Sequence, residues 1–553
     1  MSLPHFTPQG SLFSTAALGQ SLFSTEDRYR LFAKWVFPQL IKARTQLEKA
    51  YSANIGRQAI EPVLLLGVSL LQYLDGVPDR GAVDLLRYHA GWSFALNRQL
   101  GDDLFHPTTL SKFRDRLIAN ELLAVAFTAI LDGLITAGLV ARNSRQRLDS
   151  TQVFGLVSKM SRVEAVRETL RLALEEIDPQ LQEADSPPDW KSWRERYVES
   201  KLDYKASSDK LAHKLNEAGA DVARVLEWLK TQPLLAGGPQ VKLLAQVYGE
   251  QFKLEDGVPR ARGKGELASD RVQNPHDPDA TYAVKGQGAQ QKAHVGYKVQ
   301  VAETVVEAKL EPGEPTQNFI TGIATQKAHH SDDAGQEQMA REQAAMGLET
   351  PPVKYVDAAY ISTAGLVDAA AQGVELIGPA SAGIKRGEVT LSVEDFKVDV
   401  EQKQAVCPAG KPSDQCSRLA GEKAPQIQFR FEWNPTTCRD CPLRARCLGK
   451  EQKHKTLVVG EHHTVLQARR LEQKTEVFKA RMRHRNAIEG TQSELVRAHG
   501  LRHARYRGLT KVRLQNYLAG AACNLKRWIR RNVWELAQAT RRSSVPSAPA
   551  TAN

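Results

Sequence analysis

The sequence predicts an α/β fold built around a mixed β-sheet. Strand signals occur at residues 147–157 (RLDSTQVFGLV), 294–304 (HVGYKVQVAET) and 318–326 (NFITGIATQ). A helical segment at 331–347 and a further strand at 352–362 follow them. When the long helical segment after the first strand is set aside, the order is strand, strand, strand, helix, strand. This is the order of a ribonuclease H-like core.

The N-terminal part is predicted to be helical after a loose start. Residues 1–30 contain Pro, Gly and Ser throughout, which is typical of a flexible arm. In residues 31–141, apolar side chains recur at spacings of three and four, and the HPTT motif caps a basic helix that contains SKFRDRL. Several short helices followed by a basic one suit a DNA-binding domain of the helix-turn-helix type. A plain helical packing domain fits the pattern equally well.

A long insertion separates the first strand from the rest of the sheet. We assign residues 142–155 and 281–383 to the sheet-containing core, and residues 156–280 to a helical insertion. The insertion has one apolar stripe, formed by Val163, Val166, Leu170, Leu174 and Ile177. DNA binding and packing against the core are both consistent with this pattern.

Two elements of the core have clear local signals. In the strand at 294–304, apolar residues at 295, 297, 299 and 301 alternate with polar ones, which predicts a half-buried strand. The helix at 331–347 has Ser331 or Asp332 as its N-cap and Gly347 as its terminator.

The C-terminal third is predicted to comprise three parts. Residues 384–465 form a β-rich insertion that holds five of the six cysteines. Residues 466–540 form a basic helical part of the core, in which residues 466–497 are helical up to a break at Gly500. Residues 541–553 (RRSSVPSAPATAN) have the composition of a disordered tail.

The charge of the chain indicates a polyanionic partner. The formal net charge is +12, in a composition that is otherwise ordinary for a globular protein, with 42% hydrophobic and 25% charged residues. Residues 479–513 contain ten Lys or Arg but only two carboxylates, Glu489 and Glu494, and the basic run NLKRWIRR follows at 524–531. This concentration favours a dedicated nucleic-acid surface over an evenly solubilising charge.

Membrane insertion and secretion are not expected. The longest apolar run, residues 122–140, contains Asp132, which would cost roughly 2.5–3.5 kcal/mol at a bilayer centre. The run is better explained as a buried helix that ends at Gly138. The N-terminus shows no secretory signal, so we expect a cytoplasmic protein, in which cysteines bind metal or stay free rather than form disulfides.

Three acidic residues are candidates for a metal-dependent site. Asp149 lies in the first strand and Asp357 ends the strand VKYV, and in a ribonuclease H-like sheet these two strands are neighbours. A third acid is then needed from a downstream helix in a basic region, and Glu489 fits that place. Taken singly, each could be a solvated acid or an ion-pair partner. Together they can hold two Mg²⁺ or Mn²⁺ ions about 3.5–4 Å apart, the arrangement that promotes in-line phosphodiester displacement.

Four segments resemble the DDE transposases of bacterial insertion sequences: RLDSTQV, YVDAAYIS, RNAIEGTQSEL and HGLRHARYRGLTKVRLQNYLAGAACNLKRW. The layout over residues 40–530 is most similar to the group named for insertion sequence 1182. The resemblance implies that Asp149, Asp357 and Glu489 are the catalytic triad. It also implies that the substrates are the terminal inverted repeats of the element and target DNA, bound by a homodimer in a synaptic complex at the bacterial nucleoid.

The chain departs at three positions from the residue patterns of these transposases, one of which is the helical signature Tyr-x2-Arg-x3-Glu-x6-Lys. Met482 and Val496 stand where that signature has Tyr and Lys, and Ala359 stands where the group often has Gly. The basic region supplies the predicted DNA-phosphate contacts, which are Arg485, Arg497, Arg502 and Arg505. Arg485 precedes Glu489 by four residues, so on one helix the two would share a face. Arg485 then either contacts phosphate beside the metal or neutralises Glu489.

The cysteines of the β-rich insertion suggest a structural zinc site. Cys438, Cys441 and Cys447 form a C-x2-C-x5-C run, and Cys407 lies upstream. Four thiolates from two such knuckles can close a tetrahedral Zn²⁺ site. Cys416 competes for the fourth position, Cys523 is predicted to be buried, and reduced unligated thiols are the alternative.

Two rival functions remain consistent with the sequence. A structure-specific nuclease of the same fold would cleave without joining, and a degenerate transposase would bind DNA ends as a repressor. No nucleotide-binding motif is complete, because AVCPAGK lacks the first Gly of a P-loop and KGQGAQQ lacks the last Gly of a dinucleotide motif. The sequence therefore implies neither ATP nor a dinucleotide as cofactor.

Overall fold

The computed structural model describes residues 15–543, except 53–54, 100–101, 103–104, 201–207, 287–290, 382–388 and 422–423. Most of the KGQGAQQ segment, the start of the expected arm (1–14) and most of the expected tail (544–553) therefore lie outside the described residues. The remainder of the arm differs from the expectation, because helices begin at Thr15 and Arg28. Tyr29 and Leu31 are buried in the core, and this packing fixes the segment. Residues 541–543 continue the last helix.

In the described residues, nine α-helices precede the first strand: α1 (Thr15–Leu22), α2 (Arg28–Leu31), α3 (Phe37–Lys42), α4 (Arg44–Glu48), α5 (Pro62–Asp75), α6 (Asp79–Tyr88), α7 (Ala90–Ala95), α8 (Thr108–Ala119) and α9 (Val125–Thr136). Helix α5 is central to them, since it is buried on nearly every side. Glu61 caps its N-terminus by accepting from the Val63 N–H, and Gly76 ends it in the left-handed conformation, at φ 69°. Helix α9 confirms the buried helix expected in the apolar run.

The central sheet has the expected strand order. Its first strand is β1 (Gln146–Phe154). The others are β4 (Thr281–Lys285), β5 (Lys292–Thr304), β6 (Ile320–Lys327), β7 (Val353–Tyr355) and β8 (Glu375–Ile377), with β2 and β3 elsewhere in the chain. Strand β1 pairs antiparallel with β5 and parallel with β7, which pairs parallel with β8. Strands β4 and β6 pair antiparallel with β5. The order β6-β5-β1-β7-β8 is that of a ribonuclease H-like fold.

Helices cover both faces of this sheet. One face packs on α15 (Asp332–Ala345) and α16 (Thr363–Ala371), through a cluster that contains Leu148, Ala302 and Met339. Ser331 caps α15 and Gly347 follows it at φ 74°, as predicted. On the other face, side chains of β5 and β6 join one hydrophobic cluster with α5, α9 and the last helix. The N-terminal helices and the central sheet therefore share a core.

Strand β5 is half-buried only at its beginning. From Val299 to Thr304 every residue is buried, so the expected alternation is wrong there. The polar residues on the face toward α15 are covered by that helix, where the Gln300 Nε2 donates to the Asp332 carbonyl at 3.0 Å. When helices cover both faces of a sheet, the polar side chains of its strands need buried hydrogen-bond partners. The alternation of polar and apolar residues does not show whether one face or both faces are covered.

The insertion after β1 has its own hydrophobic core. Its elements are α10 (Arg162–Ile177), α11 (Trp190–Trp193), α12 (Ser208–Leu229), α13 (Pro233–Ala236), α14 (Pro239–Gln251), β2 (Phe252–Glu255) and β3 (Val258–Ala261). All five residues of the predicted apolar stripe lie in this core. The expectation of helix throughout is wrong at the end, where β2 and β3 form a hairpin. Asp256 and Gly257, both at positive φ, form its turn.

The cysteine-containing insertion is also a separate packing unit. It comprises β9 (Lys397–Asp399), β10 (Gln404–Val406), β11 (Gln415–Gly421), β12 (Ala424–Glu432), α17 (Pro435–Arg439), α18 (Arg444–Cys447) and β13 (Thr456–Gly460). Strands β11, β12 and β13 form a three-stranded sheet, whose Phe431 and Trp433 are buried.

After β13 the described residues form four helices: α19 (His463–Glu472), α20 (Glu476–Asn486), α21 (Ile488–His499) and α22 (Leu509–Ser543). Residues 466–497 are helical as expected, but they form three helices rather than one. Thr475 starts a new helix by accepting from the Phe478 N–H, and Ala487 separates α20 from α21. Gly500 ends α21 at φ 69°, as predicted. No helix in the described part of the chain is long and apolar enough to cross a membrane.

Candidate active site

Asp149 lies in the middle of β1, opposite Val301 of β5. Its side chain is only 14% exposed. Burial raises the pKa of the Asp149 carboxyl, and the neighbouring Asp357 adds to this, while Arg485 and the Ser150 N–H oppose it. Asp149 is therefore an acid in an environment that disfavours its charge, a common property of catalytic and metal-binding carboxylates.

Asp357 lies just beyond β7, the parallel neighbour of β1. One carboxylate oxygen accepts from the Ala359 N–H at 2.7 Å and so caps the short 3₁₀ helix Ala358–Tyr360. This cap orients the carboxylate. Ala359 is not among the residues at positive φ, so the departure from Gly brings no backbone strain.

Arg485 joins the two aspartates. Its Nη2 lies 3.0 Å from Asp149 Oδ2 and 3.6 Å from Asp357 Oδ2. The two carboxylate oxygens are thus within 6.6 Å of each other, the sum of these distances. The structure brings together two acids from separate strands, and it places a cation from the last turn of α20 between them.

Glu489 lies in the first turn of α21 and is exposed. Among the described residues it forms no ion pair within 4.0 Å. Arg485 and Glu489 were expected to share one face of a single helix. They lie on different helices instead, Arg485 on α20 and Glu489 on α21, with Ala487 between the two. The backbone of Ala487 stays in the right-handed helical region, at φ −68° and ψ −13°, and the Gly490 N–H donates to the Ala487 carbonyl at 3.1 Å. Glu489 is thus a carboxylate at a helix N-terminus that is free to ligate a cation, but in the described structure the oxygens of the three acids do not all lie within 4.8 Å of one another.

A buried ion network lies beside the acids, and the sequence analysis missed it. Glu303 of β5 is fully buried and accepts from Arg147 Nε at 2.6 Å, from Thr491 Oγ1 at 2.6 Å and from Arg527 Nη1 at 3.0 Å. One signal was available. Glu303 continues the apolar alternation of residues 295–301, and a carboxylate on such a face requires partners.

The predicted phosphate-contacting arginines occupy different environments. Arg497 is exposed. Arg502 instead donates to Thr151 Oγ1 at 3.3 Å and to the Gln152 carbonyl at 3.0 Å, and so attaches the loop after α21 to β1. The Arg505 guanidinium stacks 4.5 Å from the centre of the Tyr73 ring. The structure thus gives Arg502 and Arg505 packing contacts of their own.

The two departures within the helical signature are packing positions. Met482 packs against a cluster that includes Tyr355 and Phe478, beneath the edge of the sheet. Val496 packs against the main core. In the described structure neither residue takes part in the hydrogen bonds or ion pairs of the three acids.

Four cysteines line one small cavity in the β-rich insertion. Cys407, Cys438, Cys441 and Cys447 surround a space of about 30 Å³, and Cys416 is not among its lining residues. Burial raises the pKa of the Cys447 thiol, and the other three cysteines add to the shift. The soft sulfur donors suit Zn²⁺. Their sulfurs are more widely spaced than in a closed site, since no three of these described atoms lie within 4.8 Å of one another.

A second group of possible ligands lies between α21 and α22. In the described residues, ligand atoms of Glu494, His499 and Cys523 all lie within 4.8 Å of one another. Both Glu494 oxygens are already in ion pairs, at 3.1 Å with Lys526 and 3.0 Å with Arg527. Burial raises the pKa of the Cys523 thiol to about 12, so the thiol remains protonated. The charge environment of this group disfavours a further cation.

Comparison with known protein families identifies two segments of the chain. Residues 406–529 match the family described as Transposase DDE domain, and residues 19–116 match the family described as Transposase domain (DUF772). The first segment contains Glu489 and the four clustered cysteines, and Asp149 and Asp357 lie outside both. No curated protein matches the chain significantly. The two segments indicate a transposase, and the ribonuclease H-like fold agrees with one of the DDE type.

Proposed function

We propose that the protein is a DDE transposase that cleaves DNA at the ends of its own element and joins the freed 3′-hydroxyl to target DNA. The observation that carries the proposal is the meeting of Asp149 and Asp357 at Arg485, one turn before Glu489. This arrangement occurs in a chain of which two segments match transposase families. The three acids would be the ligands of two divalent cations, Mg²⁺ or Mn²⁺. The finer placement in the group named for insertion sequence 1182 stays a prediction.

The donor set fits such cations. Carboxylate oxygens are the ligands that Mg²⁺ and Mn²⁺ prefer. When bound, two such ions neutralise the charge that develops on a phosphodiester during in-line displacement. Asp149 must be ionised for this role, although its burial favours the neutral form. Asp357 is held in place by the Ala359 N–H.

Arg485 has a double function in this proposal. Without metal, its guanidinium compensates the two aspartates. When cations replace it there, the guanidinium becomes available for a DNA phosphate, together with Arg497, Arg502 and Arg505. The chain would act on the terminal inverted repeats as a homodimer, because joining two ends to one target requires both ends in one complex.

The test compares charge-neutral variants of the acids. Asp149→Asn, Asp357→Asn and Glu489→Gln should each reduce cleavage and joining by at least on the order of 10²-fold, the effect of removing one electrostatic element of a transition-state site. DNA binding should be kept. Combining any two should reduce activity little more than one alone, since the three act as a unit. Substrates are duplexes that carry the inverted repeats flanking the coding region.

Glu476→Gln is the matched control. Glu476 lies on α20, is exposed, and pairs only with Lys479 at 2.8 Å in the described structure. Its variant should cleave and join at the wild-type rate. If Glu489→Gln does the same, the proposed triad is wrong. Glu494 would be a poor replacement, because Lys526 and Arg527 already occupy its oxygens.

The joining step separates the proposal from its enzymatic rival. A nuclease of this fold would release cut ends without covalent transfer into a second duplex. A repressor derived from a transposase would bind the repeats and cut nothing. Recovery of joined products with wild-type protein, and their absence with Asp149→Asn, would support transposition over both.

A further inference from the structure

The segment that carries Glu489 is attached to the sheet on both sides. On one side, Arg147 Nη1 donates to the His484 carbonyl at 2.8 Å, immediately before Arg485. On the other, Thr491 Oγ1 donates to Glu303 Oε2 at 2.6 Å, two residues after Glu489. Arg147 and Glu303 are themselves joined at 2.6 Å. We call these three hydrogen bonds the clamp.

The clamp is anchored next to Asp149. Arg147 and Asp149 are two residues apart on β1, so their side chains leave the same face of the sheet. Glu303 is the direct cross-strand partner of Arg147, as Val301 is of Asp149. Residues 485–490 are therefore held against β1 at one end, through Arg147, and against β5 at the other, through Glu303.

Burial makes the clamp rigid. Glu303 is 0% exposed, Arg147 and Thr491 each 3%. Arg527 of α22 completes the network, because its Nη1 donates to Glu303 at 3.0 Å and its Nη2 to Thr491 at 2.7 Å. Charged hydrogen bonds in a water-free interior are strong and strongly directional. The helix junction at Ala487 would otherwise be a natural point of movement.

We propose that Arg147, Glu303 and Thr491 are positioning residues that hold Glu489 at the right distance from Asp149 and Asp357 for cation binding. This inference rests on the proposed function, since it assumes that Glu489 is a ligand. In this proposal the three residues are not themselves ligands of the cations. They act by fixing the backbone on both sides of Glu489, in the way that outer partners of metal ligands set the affinity of a site.

The test uses Thr491→Val in the full-length protein and Mn²⁺ as probe, followed by electron paramagnetic resonance. Glu303→Gln is a poorer choice, because it would leave Arg147 buried without this carboxylate, which can prevent folding. Thr491→Val keeps every charge and nearly the same shape. We expect Mn²⁺ affinity to fall about tenfold.

Thr169→Val is the matched control. Thr169 is also fully buried and donates a 2.6 Å hydrogen bond, to the Ala165 carbonyl, but it lies in the core of the helical insertion. Its variant reports what the loss of a buried hydroxyl does to melting temperature. It should bind Mn²⁺ as the wild type does.

A double variant shows whether the clamp acts through Glu489. In a Glu489→Gln background, Thr491→Val should weaken Mn²⁺ binding no further, because the ligand it positions is already lost. Unchanged Mn²⁺ affinity in Thr491→Val, or additive losses in the double variant, would overturn the clamp while leaving the proposed triad intact. If Glu489→Gln itself binds Mn²⁺ as the wild type does, the ligand assignment fails and the clamp fails with it.

Discussion

At the scale of single residues, Asp149 is held by two opposing influences. Burial favours its neutral form, while the Arg485 guanidinium at 3.0 Å favours its ionised form. The net result is a raised pKa. Such a carboxylate lowers the folding stability of the metal-free protein. Its charge is compensated when a cation binds, so the protein gives up some stability in return for cation affinity.

Replacing Asp149 with Asn should therefore raise the melting temperature of the metal-free protein at pH 7. Between the ordinary pKa of an Asp, near 3.8, and the raised folded value, the folded chain binds more protons than the unfolded chain. Its stability falls as pH rises through that window, and the loss persists at higher pH. The neutral amide avoids this loss. Added Mg²⁺ should stabilise the wild type only. Calorimetry with and without Mg²⁺ measures both effects.

Asp221→Asn controls for the substitution itself. Asp221 is fully buried and accepts from Arg196, Tyr197 and Arg224 in the insertion, so its variant should melt at a lower temperature. A metal-free Asp149→Asn protein that also melts below the wild type would show that the Arg485 ion pair outweighs burial.

At the scale of elements, the sequence predicted most strands and helices of the core but not their junctions. The alternation of β5 and the caps of α15 are local signals, and they located those elements correctly. Ala487 carries no such signal, because Ala is the residue with the highest helix propensity. The break at Ala487 lies between two hydrogen bonds of the clamp, one at His484 and one at Thr491. Tertiary contacts, which local sequence does not encode, accompany the separation of α20 from α21.

The cysteine-containing insertion gives the prediction at this scale. Wild-type protein should contain about one zinc per chain, and the double variant Cys438→Ser/Cys441→Ser should lose it and melt at a lower temperature, since structural zinc contributes directly to folding. Cys416→Ser is the control, because Cys416 pairs with Phe431 in the sheet and does not line the cavity. Metal analysis and thermal melting provide the measurements. Wild-type protein without zinc, or a double variant with unchanged melting, would leave the four cysteines as free thiols.

At the scale of the whole molecule, the sequence brought the right strands together but gave an incomplete account of the site. Asp149 and Asp357 could be paired in advance because the strand order makes β1 and β7 neighbours. The clamp could not, since Arg147 and Thr491 meet only through a third residue, Glu303, on another strand. The shared core of the N-terminal helices and the sheet was equally hidden, because a buried apolar face does not specify which element covers it.

The net charge of +12 leads to a final prediction about DNA binding. Each phosphate contact releases counterions, so the slope of log affinity against log salt should fall by about one for each contact removed. Arg497→Ala should have this effect without changing the melting temperature, because Arg497 is exposed. Arg502→Ala should reduce the slope and also the melting temperature, since Arg502 attaches the loop after α21 to Thr151 and Gln152 of β1.

Arg341→Ala completes this comparison. Arg341 is exposed on α15, which covers the sheet face opposite to the one from which Arg147 and Asp149 project, so its loss should leave both slope and melting temperature unchanged. If the slope responds to Arg341 but not to Arg497 or Arg502, DNA binds on the α15 side, away from the three acids. A transposase must present the scissile phosphate to its metal ligands. That outcome would therefore contradict both the predicted DNA-binding surface and the proposed catalytic triad.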